Sequence, residues 1–190
     1  MMDLGMIHGR FQPFHNGHFD YLKRALRLAS RLVIGITNPD PDSAIEVSFD
    51  SHRQLGDANP FSYYLRLQMI QSSILAEDEL AARYRDIAIV PFPVTRPAHW
   101  KYYIPMYHVT QLVSVLEPWD EEKARLFRSQ GFPVRTLRGR RIASGTEIRE
   151  LIRGGDSRWI DKVPIGTRDT LVSWLEKATM RLKYDNELGQ

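Results

Sequence analysis

The sequence predicts a doubly wound α/β sheet, because short apolar runs alternate with segments of helical periodicity along most of the chain. Several of these runs are rich in Val and Ile, which is typical of parallel strands buried on both faces. The predicted strands cover residues 4–8, 32–37, 87–92, 112–116 and 134–137. The predicted helices cover residues 17–30, 62–84 with a break, and 120–130. In such a sheet, ligands bind beyond the carboxyl ends of the strands.

Length and composition indicate one globular domain of residues 1–190 with a helical appendage at about 163–185, since 43% of the residues are hydrophobic and 26% are charged. The net charge of +3, from 26 basic and 23 acidic residues, is too small to indicate a nucleic-acid partner. The absence of cysteine excludes disulfides and thiolate nucleophiles. No apolar run approaches the ~20 residues of a membrane span, so we expect no membrane partner and a cytoplasmic location.

The segment Gly9-Arg10-Phe11-Gln12-Pro13-Phe14-His15-Asn16-Gly17-His18 connects the first predicted strand to the first predicted helix. A helix N-terminus leaves backbone N–H groups without partners and carries a partial positive charge, so an anion is stabilised there. Gly17 has no Cβ, which would let phosphate oxygens approach the backbone. His15 and His18 are three residues apart, so both imidazoles are expected on one side of the helix. The pattern therefore predicts a phosphate-binding segment.

The histidine pair has two other interpretations. A His-x-x-His pair can ligate a metal, although catalytic zinc usually needs a third protein ligand and the HExxH spacing is absent. The two histidines can also be structural side chains with their hydrogen bonds satisfied inside the protein.

A second polar segment lies late in the chain, at Arg140-Arg141-Ile142-Ala143-Ser144-Gly145-Thr146-Glu147-Ile148-Arg149. Ser144 followed by Glu147 is a capping-box pattern, which predicts that a helix begins here. Thr146 would place its hydroxyl in the first turn, and the planar guanidinium of Arg149 can bond two phosphate oxygens at once. Taken alone, the segment is equally typical of an ordinary capped, basic surface helix.

Two further segments have simpler interpretations. Residues 38–59 contain prolines and glycine with little periodicity, which predicts a long loop that is either a substrate lid or disordered. The tail after Lys162 predicts a helix packed on the core, with self-association as a further option. Its apolar residues at helical spacing are Leu171, Trp174, Leu175 and Ala178.

The two polar segments together resemble a known family. His15-Asn16-Gly17-His18 and the segment from Ser144 to Arg149 are similar to the paired HxGH and ISxTxxR motifs of the HxGH nucleotidyltransferase superfamily. The run from Gly9 to His15 resembles the archaeal-type nicotinamide-nucleotide adenylyltransferases in particular. Asn59-Pro60-Phe61-Ser62, followed by Arg66, resembles a third patch of that family.

The resemblance implies a Rossmann-like fold with a C-terminal helical segment, and transfer of a nucleoside monophosphate from ATP or CTP to a small acceptor phosphate, with release of pyrophosphate. Mg²⁺ would be bound through the substrate phosphates, with no metal site on the protein. The implied catalytic residues are Arg10, His15, His18 and Arg149. The implied nucleotide-binding residues are Gly9, Arg10, Phe11, Gln12, Pro13, His15, Gly17, His18, Ser144, Thr146 and Arg149. The implied acceptor-binding residues are Asn59, Arg66 and Trp100.

The sequence departs from that family where the nicotinamide ring would be recognised. The region of Val94 to Trp100 keeps the tryptophan of an I-x-x-N-x-x-W pattern, but Pro97 stands at the asparagine position and offers neither a side-chain amide nor a backbone N–H. Trp100 could stack on a ring or belong to an aromatic core cluster. Three functions therefore stay open: nicotinamide-mononucleotide adenylyl transfer, cytidylyl transfer to a small phosphate or phosphonate, and nucleotide sensing without turnover.

Overall fold

The computed structural model describes residues 1–40, 59–116, 118–139 and 142–188, and these residues form one five-stranded sheet with helices on both faces. Most of the predicted loop 38–59 lies outside the described residues, so its role as a lid stays a prediction. All strand pairs are parallel, in the order β3-β2-β1-β4-β5, which confirms the predicted doubly wound sheet. The strands are β1 (Met2–Gly9), β2 (Ala29–Thr37), β3 (Ile87–Phe92), β4 (Val109–Val115) and β5 (Val134–Arg138).

The α-helices divide between the two faces of the sheet. One buried cluster contains residues of α1, α2, α5 and α6, and the other contains residues of α4 and of the 3₁₀ helix Pro97–Tyr102. No helix in the described part of the chain is long and apolar enough to cross a membrane. The helices are α1 (Asn16–Leu26), α2 (Tyr63–Leu75), α3 (Asp78–Ala81), α4 (Pro118–Ser129), α5 (Gly145–Arg153) and α6 (Ile165–Leu188).

The strand order reverses at β1. The chain moves outward from β1 through β2 to β3 and then crosses to β4 on the other side of β1. β1 pairs with β4 only from Leu4 to Met6, although β1 continues to Gly9 and β4 to Val115. The ladder between the two strands therefore ends before their carboxyl ends, and this opening is where doubly wound sheets bind ligands.

The predicted helix 17–30 is too long, because the backbone after Leu26 joins the sheet. Arg27 is the C-cap of α1, and the carbonyl of Leu28 accepts a hydrogen bond from the Met2 N–H. Ala29 is already paired with Met2 in the β1–β2 ladder. Its alanine side chain fitted the helical stripe equally well, so periodicity alone could not find this boundary.

Helix α6 packs against α2. The hydroxyls of Ser73 and Thr167 lie 2.9 Å apart and are buried, and Leu171 is fully buried beside them. A Cβ on Gly166 would lie 2.2 Å from the carbonyl carbon of Ser72, so only glycine fits at this crossing. The predicted C-terminal helix is thus part of the core packing.

We expect Gly166→Ala to destabilise the protein by about 1–3 kcal/mol, because the added methyl group forces α6 away from α2. Urea unfolding measures the change. Gly154→Ala is the matched control, since its Cβ would make an ordinary contact at 3.4 Å from the Glu150 carbonyl oxygen and should shift stability by less than about 0.5 kcal/mol. Equal stability of the two variants would contradict the packing described for α6.

Candidate active site

The N-terminus of α1 is capped by the two histidines of the first motif. His15 is the N-cap residue, in extended conformation, and its Nδ1 accepts a hydrogen bond from the backbone N–H of His18 at 3.3 Å. His18 reciprocates, since its Nδ1 accepts from the backbone N–H of His15 at 3.4 Å. A capping box usually uses Ser or Thr with Glu. Here it is built from imidazoles, which places both rings at the positive end of the helix.

The two imidazoles lie face to face, with ring centroids 3.6 Å apart and an angle of 15° between the planes. The ring of Phe11 meets His18 edge-on at 4.9 Å. Burial lowers the pKa of His18 well below its usual value, and the nearby His15 and Arg10 lower it further, while a hydrogen bond with the Pro13 backbone opposes the shift. His18 is therefore neutral at pH 7, and the cation of Arg10 lies near it.

The second motif reaches the first one directly. Arg149, in α5, is buried, and its guanidinium donates to the carbonyl oxygen of Gln12 at 2.6 Å and to the Thr146 hydroxyl at 3.2 Å. Gly145 permits this approach, because a Cβ there would lie 2.7 Å from the same carbonyl oxygen. A Cβ on Gly17 would lie 3.8 Å from the backbone nitrogen of Ala143. The N-terminal ends of α1 and α5 therefore face each other.

The predicted capping box of α5 does not form, although the helix begins as predicted. Ser144 is the N-cap residue, but its side chain makes no capping hydrogen bond. Glu147 instead forms an ion pair with Lys162 at 2.9 Å, which a sequence pattern could not reveal because Lys162 belongs to a separate 3₁₀ helix. The Ser144 hydroxyl is half-buried and Thr146 is exposed at the entrance of the helix.

Gln12 and Arg66 hold the loop that carries the first motif. The Gln12 side-chain amide donates to the Phe61 carbonyl at 2.9 Å and accepts from the Phe61 N–H at 3.0 Å. Arg66 is almost completely buried. Its guanidinium donates to four backbone carbonyl groups, those of Arg10, Thr37, Asn38 and Ser62.

These contacts use most of the donors of Arg66, and its role in acceptor binding stays a prediction. Four of the five N–H donors of a guanidinium are used by backbone carbonyls, so Arg66 fixes the ends of β1 and β2. Asn59, the other acceptor candidate of this patch, is half-buried, and a role for it in acceptor binding stays a prediction. Gly9 is needed for packing, because a Cβ at this position would lie 2.8 Å from the Phe11 ring.

Trp100 is a core residue, which is one of the two placements that its sequence context leaves open. Its side chain is fully buried, and its indole N–H donates to the Pro93 carbonyl at 2.9 Å. The ring packs 5.3 Å from Phe92 and 5.1 Å from Phe127, measured between centroids. The aromatic cluster therefore fills the space beside the carboxyl end of β3.

Lys123 is a residue of this region that sequence reasoning missed. It lies in α4, in an ion pair with Asp120 at 2.6 Å, and its charge lowers the pKa of both His18 and His8. A charge on α4 therefore acts on the histidines of β1 and α1. Nothing in the spacing of an ordinary amphipathic helix could signal this placement.

A cleft of about 520 Å³ lies beside the two helix N-termini, with Asn16 on the α1 side and Glu147 on the α5 side. The Asn16 side chain donates to the Asp161 carbonyl at 2.9 Å and closes one wall. The lining contains two basic residues, Arg158 and Lys162, and two acidic ones, Glu147 and Asp161, so its charges balance.

Comparison with known proteins shows the family to which the chain belongs. A model of the cytidylyltransferase-like family matches residues 6–151. A phosphonoformate cytidylyltransferase of Streptomyces viridochromogenes is 34% identical over 162 residues, which cover 84% of this chain and 85% of that protein. A nicotinamide-nucleotide adenylyltransferase of Methanoculleus marisnigri is 29% identical, with 90% of both chains covered.

The fold also matches a solved structure. The bifunctional NMN adenylyltransferase/ADP ribose pyrophosphatase of Francisella tularensis, complexed with AMP and a manganese ion, superposes with a TM-score of 0.61 and 18% identity. The match covers 93% of this chain and 50% of that one, so the chain spans half of the bifunctional protein. At this identity the match shows the fold. The family model over residues 6–151 and the relative at 34% identity establish that this chain belongs to the cytidylyltransferase-like family of nucleotidyltransferases.

Proposed function

We propose that this protein transfers CMP from CTP to the phosphonate or phosphate oxygen of a small acceptor and releases pyrophosphate. The observation that carries the proposal is the burial of Trp100, which removes the surface on which a nicotinamide ring would stack. Pro97 begins the adjacent 3₁₀ helix and supplies no amide to a carboxamide group. The 34% identity with a phosphonoformate cytidylyltransferase supports the same choice.

The nucleotide triphosphate would lie between the N-termini of α1 and α5. His15 and His18 approach from one side and Arg149 from the other, with Arg10 beside His18. An oxygen of the acceptor attacks the α-phosphorus, the bond to the α–β bridging oxygen breaks, and pyrophosphate leaves with the electron pair. The imidazole N–H groups and the two guanidinium groups would stabilise the charge that develops on the phosphate oxygens.

The residues at this position suit a metal that arrives with the nucleotide. In the described part of the chain, no group of three or more His, Asp or Glu side chains could hold a metal ion, whereas Arg10 and Arg149 are phosphate ligands by type. Mg²⁺ bound through the substrate phosphates would neutralise part of the triphosphate charge. The protein residues would then align the phosphates for in-line attack.

A second candidate is adenylyl transfer from ATP to nicotinamide mononucleotide. It is favoured by archaeal relatives named nicotinamide-nucleotide adenylyltransferase, which are 29% identical in Methanoculleus marisnigri and 31% in Methanolobus tindarius. This candidate requires the aromatic cluster around Trp100 to open for the ring. A cytoplasmic location and self-association through α6 are compatible with either activity and stay predictions.

A pyrophosphate-release screen tests the proposal. CTP and ATP are each combined with phosphonoformate, methylphosphonate, nicotinamide mononucleotide and its acid. We expect release with CTP and a small phosphonate. Release only with ATP and a nicotinamide nucleotide would overturn the proposal in favour of the second candidate, and nucleotide binding without release from any pair would favour a sensor.

We expect His18→Ala and Arg149→Ala to lower turnover by about a hundredfold or more, because each removes a donor aimed at the reacting phosphate. Steady-state pyrophosphate release gives kcat, and circular dichroism checks that the fold survives. His99→Ala is the control, since His99 is exposed on the 3₁₀ helix beside Tyr102 and should leave turnover unchanged. Near-normal turnover of His18→Ala would refute the role given to the histidine pair.

A further inference from the structure

The opening, or crevice, between the carboxyl ends of β1 and β4 contains polar side chains to which the proposed nucleotide transfer gives no role. The β1–β4 ladder ends at the pair Met6–Gln111, and His8 is two residues further along β1. Side chains alternate along a strand, so His8 shares the face of Met6, on the side of the sheet covered by α4. It directly precedes Gly9 and Arg10 of the nucleotide segment. His8 thus lies at the carboxyl end of β1, next to the segment that is proposed to bind the nucleotide.

His8 is a buried polar side chain with an unsatisfied atom. It is 6% exposed, and its Nε2 has no hydrogen-bond partner among the residues that the structure describes. The imidazole packs 4.8 Å from Phe127 and 5.9 Å from Phe92, between centroids. Burial lowers the pKa of His8 to about 3, with a further contribution from Lys123, so the ring is neutral at pH 7. A buried polar atom without a partner costs stability, and at the open end of the ladder this nitrogen is a candidate donor to a ligand.

Lys123 connects this crevice to the candidate reacting centre. It lies one turn before Phe127 in α4, and its charge acts on His8 and on His18 alike. Lys123 forms an ion pair with Asp120, whose second oxygen accepts from the Leu116 N–H. The lysine side chain is long, flexible by type and partly exposed, so its ammonium group can also reach an incoming anion.

We propose that His8 and Lys123 bind the second acidic group of a small phosphonate acceptor, in the crevice between β1 and β4 on the side that α4 covers. The inference rests on the proposed function and names the acceptor class: a phosphonate that carries a carboxylate or a similar anion. The phosphonate oxygen attacks the α-phosphorus, and the second anion accepts a hydrogen bond from the His8 imidazole and lies against the Lys123 ammonium group. His8 takes no part in bond making; it is a specificity residue that favours small acidic acceptors.

The test compares two acceptors that differ in the second acidic group. Phosphonoformate carries a carboxylate, and methylphosphonate does not. For His8→Leu we expect the KM for phosphonoformate to rise about tenfold or more, as the loss of a hydrogen bond to a charged group predicts. The KM for methylphosphonate and for CTP should change by less than about twofold. The melting temperature should hold or rise, because leucine removes the unsatisfied atom.

Gln111→Leu is the matched control. Gln111 is fully buried on the same face, and its Oε1 also has no hydrogen-bond partner within the described ranges, but it lies where the ladder is still closed. It should leave both acceptor KM values unchanged. If His8→Leu fails to fold, the KM values of Lys123→Met for the two acceptors are compared instead. Lys123 is partly exposed, so this substitution should not disturb the core.

Two results would overturn the inference while leaving the proposed function in place: an equal rise of KM for both acceptors, or an unchanged KM for phosphonoformate in His8→Leu. If the wild-type protein turns over no phosphonate, the proposed function fails, and thermal shift then decides the inference. Phosphonoformate should raise the melting temperature of the wild-type protein and not that of His8→Leu. No shift, or the same shift in both proteins, overturns it.

Discussion

The hydrogen bond from Arg149 to the Gln12 carbonyl is the contact on which the candidate site depends. It joins two segments that are 137 residues apart in the chain, at a point where Gly145 leaves just enough room for the approach. Because the guanidinium is partly desolvated, burial lowers the pKa of Arg149, yet the group stays charged. The contact therefore places a permanent cation opposite the imidazole pair.

The loop between β1 and α1 must be rigid if the hydrogen bond between Arg149 and Gln12 is to position the N-termini of α1 and α5. Gln12 is tied to the Phe61 backbone by two hydrogen bonds, and Arg66 is tied to carbonyl groups at the ends of both β1 and β2. A nucleotidyl transfer that forms no covalent enzyme intermediate depends on alignment and on charge stabilisation. Side chains that bond only to backbone are thus as important here as those that would touch phosphate, because they determine where the phosphate ligands lie.

The sequence predicted the fold and indicated the two segments that meet at the candidate site, because their signals are local. Runs of Val and Ile mark the strands, and the glycines and histidines of the first motif lie within ten residues of one another. The roles of Arg66 and Trp100 were not predictable, since a guanidinium or an indole looks the same in a sequence whether its partner is a ligand or the protein itself. Ser144 and Glu147 have the spacing of a capping box, but the competing ion pair with Lys162 depends on tertiary packing. Lys123 is distant in sequence from both motifs and gave no signal.

The distribution of buried polar residues indicates where the fold gives up stability for function. Six of the nine buried polar residues in the described part of the chain lie at the carboxyl edge of the sheet or in the segments that face it: His8, Gln12, His15, Thr37, Arg66 and Arg149.

Gln12, His15, Arg66 and Arg149 each form at least one hydrogen bond with a backbone group, which makes their burial tolerable and the edge rigid. His8 differs, because it lies among the aromatic rings of Phe92 and Phe127 with one nitrogen unsatisfied. Under the proposed function, the aromatic packing would exclude a large ring, and the free nitrogen of His8 would favour a smaller, acidic acceptor. Specificity at this edge would then depend on the packed aromatic rings as much as on the unsatisfied nitrogen of His8.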